Sequence, residues 1–151
     1  NNEGGVFPYT PATNLLYGLK EALRLLHNEG LQNVYFRHQR LAEATRLAVN
    51  AWGLENMCLN PAEYSNSCTA VLTPKGFDAD HLRKVILEKF NMSLGTGLGK
   101  VKGTVFRIGH LGDFNELSLA GTLSGVEMGL RLAKIPHSQG GVNAALEFLS
   151  N

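Results

Sequence analysis

Thr104-Val-Phe-Arg-Ile-Gly-His-Leu-Gly112 is a short apolar run with one fixed positive charge set inside it. Val105, Phe106, Ile108 and Leu111 are apolar, Arg107 carries the charge, and Gly103 and Gly112 punctuate the two ends. This pattern predicts a buried or half-buried strand. Alternation puts Phe106 and Ile108 on one face and Val105 and Arg107 on the other. A guanidinium keeps its charge, and burying it unpaired is costly. An anion therefore meets Arg107, or its tip reaches water. The planar fork suits a carboxylate held through two hydrogen bonds. An Asp or Glu of the same fold is a common partner for such an arginine.

Working outward, composition sets the frame. The 151 residues are 44% hydrophobic and 18% charged, which predicts one folded domain with a real core. A formal charge of +1, with no Lys/Arg cluster, argues against a nucleic-acid partner. No apolar run approaches the roughly 20 residues that span a bilayer, so no membrane segment is expected. Cys58 and Cys68 do not form a disulfide framework and read as free thiols of a reducing, cytoplasmic compartment, with a single bridge between them the alternative. The chain begins at Asn1, with neither methionine nor an apolar signal segment, and reads as processed or as a piece of something longer.

Upstream of the arginine strand, residues 1–9 have no helical period and read as an extended arm. Thr10-Pro11 reads as a helix start, with Thr10 as N-cap or as an anion contact beside the free N–H groups. Leu15, Leu16, Leu19, Leu23 and Leu26 make an apolar stripe that Gly30 ends. A second helix is expected from about Leu31 to Trp52. Val34, Leu41, Ala44, Ala48 and Trp52 face inward there, and Arg37, Arg40, Glu43 and Arg46 form a solvated outer face. Cys68–Thr73 reads as a strand closed by Pro74-Lys75-Gly76. A third helix opens at Asp78 or Asp80 and ends at Asn91. Met92–Lys102 is glycine-rich, but its spacing fits neither a dinucleotide nor a P-loop fingerprint, and it reads as a flexible connection.

Downstream, Asp113-Phe-Asn115 initiates a fourth helix, with Gly121, Gly125 and Gly129 on one face where another backbone can pack close. A short helix, Asn143–Leu149, finishes the chain. The sum is an α+β fold: helices covering a small, mostly antiparallel sheet. The five histidines show no paired metal spacing. His110 lies near the end of the arginine strand and reads either as a lining of the same site or as a satisfied structural histidine.

Several segments together resemble one family. They are Phe7–Leu19, Gly30–Val34 with Arg37-His38, Leu94–Gly99, and Val105–Asp113 with Asn115-Glu116. They are similar to the serine–glyoxylate and alanine–glyoxylate aminotransferases, class V pyridoxal-phosphate enzymes of fold type I. The resemblance spans the whole chain, in order, but only the C-terminal part of such an enzyme. It implies a division into residues 1–30, an arm and helix from the end of the large domain, and residues 31–151, the small domain of the aspartate-aminotransferase fold. It implies that Arg107 binds the α-carboxylate of the amino-acid or 2-oxo-acid substrate, so an external acid replaces an internal one as the expected partner. It implies that the Thr10 hydroxyl reaches the cofactor phosphate of the neighbouring subunit in a homodimer. Some relatives carry a tyrosine where this chain has Phe7, and Tyr9 is its candidate replacement. The Schiff-base lysine of the family lies upstream, in a large domain absent from this chain, so the chain alone is expected to be inactive. The contrasting expectation is a non-catalytic binding or dimerisation module, joined through the leucine stripe or the glycine face.

Overall fold

The structure, a computed structural model, describes residues 4, 5 and 7–151. It forms two compact units, Asn1–Phe36 and Arg37–Asn151. The arm expected over residues 1–9 falls partly on residues 1–3 and 6, which lie outside the described residues.

The first unit holds helix α1 (Thr13–Glu29) and the opening of helix α2 (Leu31–Ala51). Helix α1 begins later than Thr10-Pro11 suggests. A residue preceding proline is driven out of the helical region. The Thr13 N–H donates to the Pro11 carbonyl at 2.9 Å, closing an inverse γ-turn around Ala12 (φ −74°, ψ 71°). Ala12 is thus the N-cap position and no side chain caps the helix, so Thr10 does not hold the capping role expected of it. Gly30 ends α1 at φ 87°, a conformation that costs glycine little. No residue of α1 is buried, and its stripe is open: Leu15 is 74% exposed and Leu19 55%.

The second unit carries the rest of α2, then strand β1 (Glu55–Asn56), strand β2 (Cys68–Leu72) and helix α3 (Ala79–Phe90). Strands β3 (Gly95–Thr96) and β4 (Val105–Gly109) and helices α4 (Glu116–Leu132) and α5 (Gly141–Leu149) follow. The sheet order is β1-β2-β4-β3 and every pairing is antiparallel. Register places Arg107 of β4 opposite Ala70 of β2 and Gly95 of β3. One face of the sheet (Thr69, Val71, Phe106 and Ile108) is buried. It joins a core with Leu41 and Ala48 from α2, Trp52 just past its end, Leu82 and Ile86 from α3, and Leu119, Leu123 and Leu130 from α4. Each buried leucine or isoleucine among them gains about 1.5–3 kcal/mol. Cys68, Ala70, Leu72 and Arg107 line the other face and are only half-buried.

Local chemistry fixes the helix starts in this unit. The Asp78 carboxylate accepts the Asp80 N–H at 2.8 Å, and Asn115 accepts the Ser118 N–H at 2.9 Å. Helix α5 begins two residues before the expected Asn143. Its first turn is held by Glu127 of α4, which accepts the N–H groups of Gly140 and Val142 at 3.2 and 3.1 Å.

The charged face expected on α2 is not simply solvated. Arg37 donates to the carbonyls of Gly112 and Phe114 at 2.8 and 3.0 Å. Arg40 donates to the Leu149 carbonyl and lies over the Phe148 ring. Arg46 stacks 4.9 Å from the Tyr64 ring centre. Long arginine stems pack while their heads bind backbone oxygens, so charge periodicity alone could not separate clamps from solvated groups. The α4 glycines also divide. A side chain at Gly129 would meet Ile86 Cγ1 at 2.2 Å and one at Gly125 would meet Met92 Cε at 2.7 Å, whereas Gly121 has open space.

Candidate functional site

Arg107 projects from the half-buried face of β4, flanked by β2 and β3. Its Nε donates to the Thr96 carbonyl at 2.9 Å. Among the described residues it enters no ion pair; Glu21, Asp80 and Glu88 pair instead with Arg24, Arg83 and Lys84. Among the described residues no internal acid therefore takes the role of its partner. One nitrogen of the fork is fixed by a carbonyl, and among the described residues no carboxylate pairs with the Nη groups.

The neighbour across β3 makes room for the fork. A Cβ built on Gly95 would lie 3.0 Å from both Cβ and Nε of Arg107 and 3.4 Å from its Cζ. The guanidinium thus runs along the bare Cα of Gly95. Strand β3 is in turn pinned from α3. The Asp80 carboxylate accepts the Thr96 hydroxyl at 3.0 Å and Arg83 Nη1 at 2.8 Å, while Arg83 Nε donates to the Leu94 carbonyl at 2.8 Å. The Thr96 hydroxyl and then Arg83 hold the Asp80 carboxyl below its usual range, so it is charged at neutral pH. The glycine-rich segment read as a flexible connection is an edge strand followed by a 3₁₀ turn at Gly99–Val101. Gly97 shows why glycine is needed there: a side chain would meet the Val101 carbonyl oxygen at 2.2 Å. The sequence reading missed Gly95, Thr96, Asp80 and Arg83. Two residues are too few for strand periodicity, and Asp80–Arg83 looks like any pair one helical turn apart.

His110 does not line the site. It is fully buried, with Nε2 3.0 Å from Thr69 Oγ1 and Nδ1 3.1 Å from the Asn66 carbonyl. Burial, only partly offset by the Asn66 carbonyl, pushes its pKa down to about 4, so the ring is neutral at pH 7. His38 Nε2 accepts the Gly112 N–H at 3.2 Å and, with Arg37, holds the turn that follows β4. Cys68 shares the face of Arg107. Burial pushes its thiol pKa up, against the arginine's pull. Cys58 and Cys68 are free thiols lining a small pocket of about 30 Å³.

Thr10 and Tyr9 belong to the first unit and are both exposed, Tyr9 at 85%. They stand just before the start of α1, which no side chain caps and whose dipole favours anions. The seven lysines are all exposed. No described helix is long and apolar enough to cross a membrane.

This architecture is that of the C-terminal small domain of the aspartate-aminotransferase fold. The pyridoxamine–pyruvate aminotransferase of Mesorhizobium loti superposes with a TM-score of 0.89 at 32% identity, over 96% of this chain and 38% of that one. No family profile matches the chain. Sequence relatives narrow the class. The chain is 51% identical over 149 residues to the serine–glyoxylate aminotransferase of Methylorubrum extorquens and 50% identical to that of Arabidopsis thaliana. Each match covers 98% of this chain and 37% of the relative. The chain corresponds to the C-terminal part of a class V aminotransferase of the serine–glyoxylate and alanine–glyoxylate group, and spans little more than a third of such a protein.

Proposed function

We propose that the complete protein transfers an amino group from serine, or a similar small amino acid, to glyoxylate, and that Arg107 binds the α-carboxylate of both. The observation that carries this reading is the Arg107 fork: charged, half-buried, held at Nε by a carbonyl and, among the described residues, matched to no acid. Amino donor and oxo-acid acceptor share a carboxylate next to the reacting carbon. One bidentate arginine can therefore hold both in the same register as they alternate.

Pyridoxal phosphate, when bound, supplies the electron sink that such transfers need. The residues here fit a share of its site. The exposed Thr10 hydroxyl, with Tyr9 beside it, would reach the phosphate of the neighbouring subunit in a homodimer, next to the uncapped start of α1. The Schiff-base lysine is assigned to the part of the protein outside this chain, in keeping with the exposed settings of the lysines present. Residues 1–30 are assigned to the end of the large domain and 31–151 to the small domain. The open leucine stripe of α1 supports this division, because the large domain or the other subunit would cover it. Free thiols at Cys58 and Cys68 suit a cytoplasmic enzyme.

The test is transamination by the complete protein carrying Arg107→Ala. Loss of a bidentate charged contact is expected to cost on the order of 2–5 kcal/mol in kcat/KM for serine and for glyoxylate alike. Unchanged values would overturn the role. The isolated chain mixed with pyridoxal phosphate is expected to show neither turnover nor a new visible absorption band.

A further inference from the structure

We propose that the Gly95–Thr96 edge is the positioning element of the Arg107 fork. In this reading the Thr96 carbonyl fixes Nε, and the missing side chain at Gly95 leaves the channel along which the guanidinium reaches the substrate carboxylate. The inference rests on the carboxylate role of Arg107 and goes past it, because it names what sets the direction of the arginine.

Three observations carry it. Gly95 stands directly opposite Arg107 in the β3–β4 register, so the two share a face. A Cβ at 95 would press on Arg107 at 3.0 Å, at Nε as well as at Cβ, closer than ordinary van der Waals contact. Nε, the atom so crowded, is the one that donates to Thr96. Gly95 does not have a left-handed φ, so alanine there needs no unusual backbone. The consequence of a methyl group at this point is a displaced arginine. Asp80 and Arg83 complete the device from the opposite face of the sheet. By holding the Thr96 hydroxyl and the Leu94 carbonyl, they fix the strand whose carbonyl orients Nε. Gly95, Thr96, Asp80 and Arg83 act through Arg107 and need not touch the substrate.

The experiment is a double-mutant cycle in the complete protein with Gly95→Ala, Arg107→Ala and the pair. Gly95→Ala is expected to raise KM for serine and glyoxylate about tenfold, with kcat changed less than about threefold, because a misaimed fork weakens carboxylate binding first. Its preference for serine over ethanolamine, the same donor without the carboxylate, falls by a similar factor. Calorimetry with glycolate, an unreactive small acid, shows the same weakening with no turnover involved. In the Arg107→Ala background, Gly95→Ala has no further effect. Asp80→Asn gives a smaller KM shift of the same kind without adding bulk to the sheet, and stands in if the Gly95 variant does not fold. A Gly95→Ala effect that persists without Arg107, or that falls on ethanolamine as heavily as on serine, would overturn the positioning role while leaving Arg107 as the carboxylate site. An Arg107→Ala variant with wild-type kinetics would remove both.

Discussion

The indole N–H of Trp52 donates to the Glu127 carboxylate at 2.7 Å, joining the end of α2 to the middle of α4. The same carboxylate takes the N–H groups of Gly140 and Val142 at the start of α5. Three helices therefore meet on one side chain. Gly141 is bare because a Cβ there would lie 2.2 Å from the indole nitrogen.

Removing this junction as Glu127→Ala leaves an indole and two amides without their acceptor, and is expected to cost about 2–4 kcal/mol of stability. Burial opposes the charge on Glu127, but the bonds from Trp52, Val142 and Gly140 outweigh it and hold the carboxyl below its ordinary value. The contribution is thus fully present above pH 4.5, the ordinary value, and is lost as the pH falls through the lower folded-state pKa. Thermal midpoints between pH 6 and 3 will show the acid slope in the wild type and a shallower one in Glu127→Gln.

His110 gives a second, higher window. Its folded pKa of about 4 lies below the ordinary 6.5, so the unfolded chain binds the extra proton between those values. Stability is expected to decline as the pH falls from 6.5 towards 4, by roughly 2–3 kcal/mol in all. A His110→Gln variant should lack this decline. An imidazole titrating near 6.5 in the folded protein, read by nuclear magnetic resonance, would contradict it.

The glycines of α4 make opposite predictions. Gly129→Ala forces a methyl group into Ile86 and should destabilise by about 1–3 kcal/mol. Gly121→Ala enters open space in mid-helix and should stabilise by about 0.5–1 kcal/mol through helix propensity alone. Urea midpoints of the two variants against the wild type decide the matter. A loss at Gly121 seen only in the complete protein would mean that another part of the molecule packs there.

Thr10→Val removes the hydroxyl assigned to the cofactor phosphate while keeping the side-chain volume. The dissociation constant of pyridoxal phosphate from the complete protein should rise about ten- to a hundredfold, and KM for serine should change little, since one charge-assisted hydrogen bond is worth about 1.5–3 kcal/mol. Tyr9→Phe tests the second hydroxyl in the same way.

Much of this arrangement was legible in the sequence. The alternation around Arg107 placed Phe106 and Ile108 in the core, as found, and the inward face expected of the second helix, Leu41, Ala44, Ala48 and Trp52 among it, is buried. Thr10 misled because a hydroxyl before proline suits a cap equally well on paper, and only the γ-turn at Ala12 moves the helix start past it. The support for Arg107 was hidden for a different reason. It consists of a carbonyl, a missing side chain and a carboxylate on another element. None of these has a periodicity, and each acquires meaning only once β3 lies beside β4.

The sheet ends on both sides in strands of two residues, β1 and β3. A foreign strand arriving at either rim finds almost no ladder to extend. The brevity that concealed β3 from the sequence reading also guards the protein against edge-on accretion into fibres, so lengthening either rim would trade solubility for regularity.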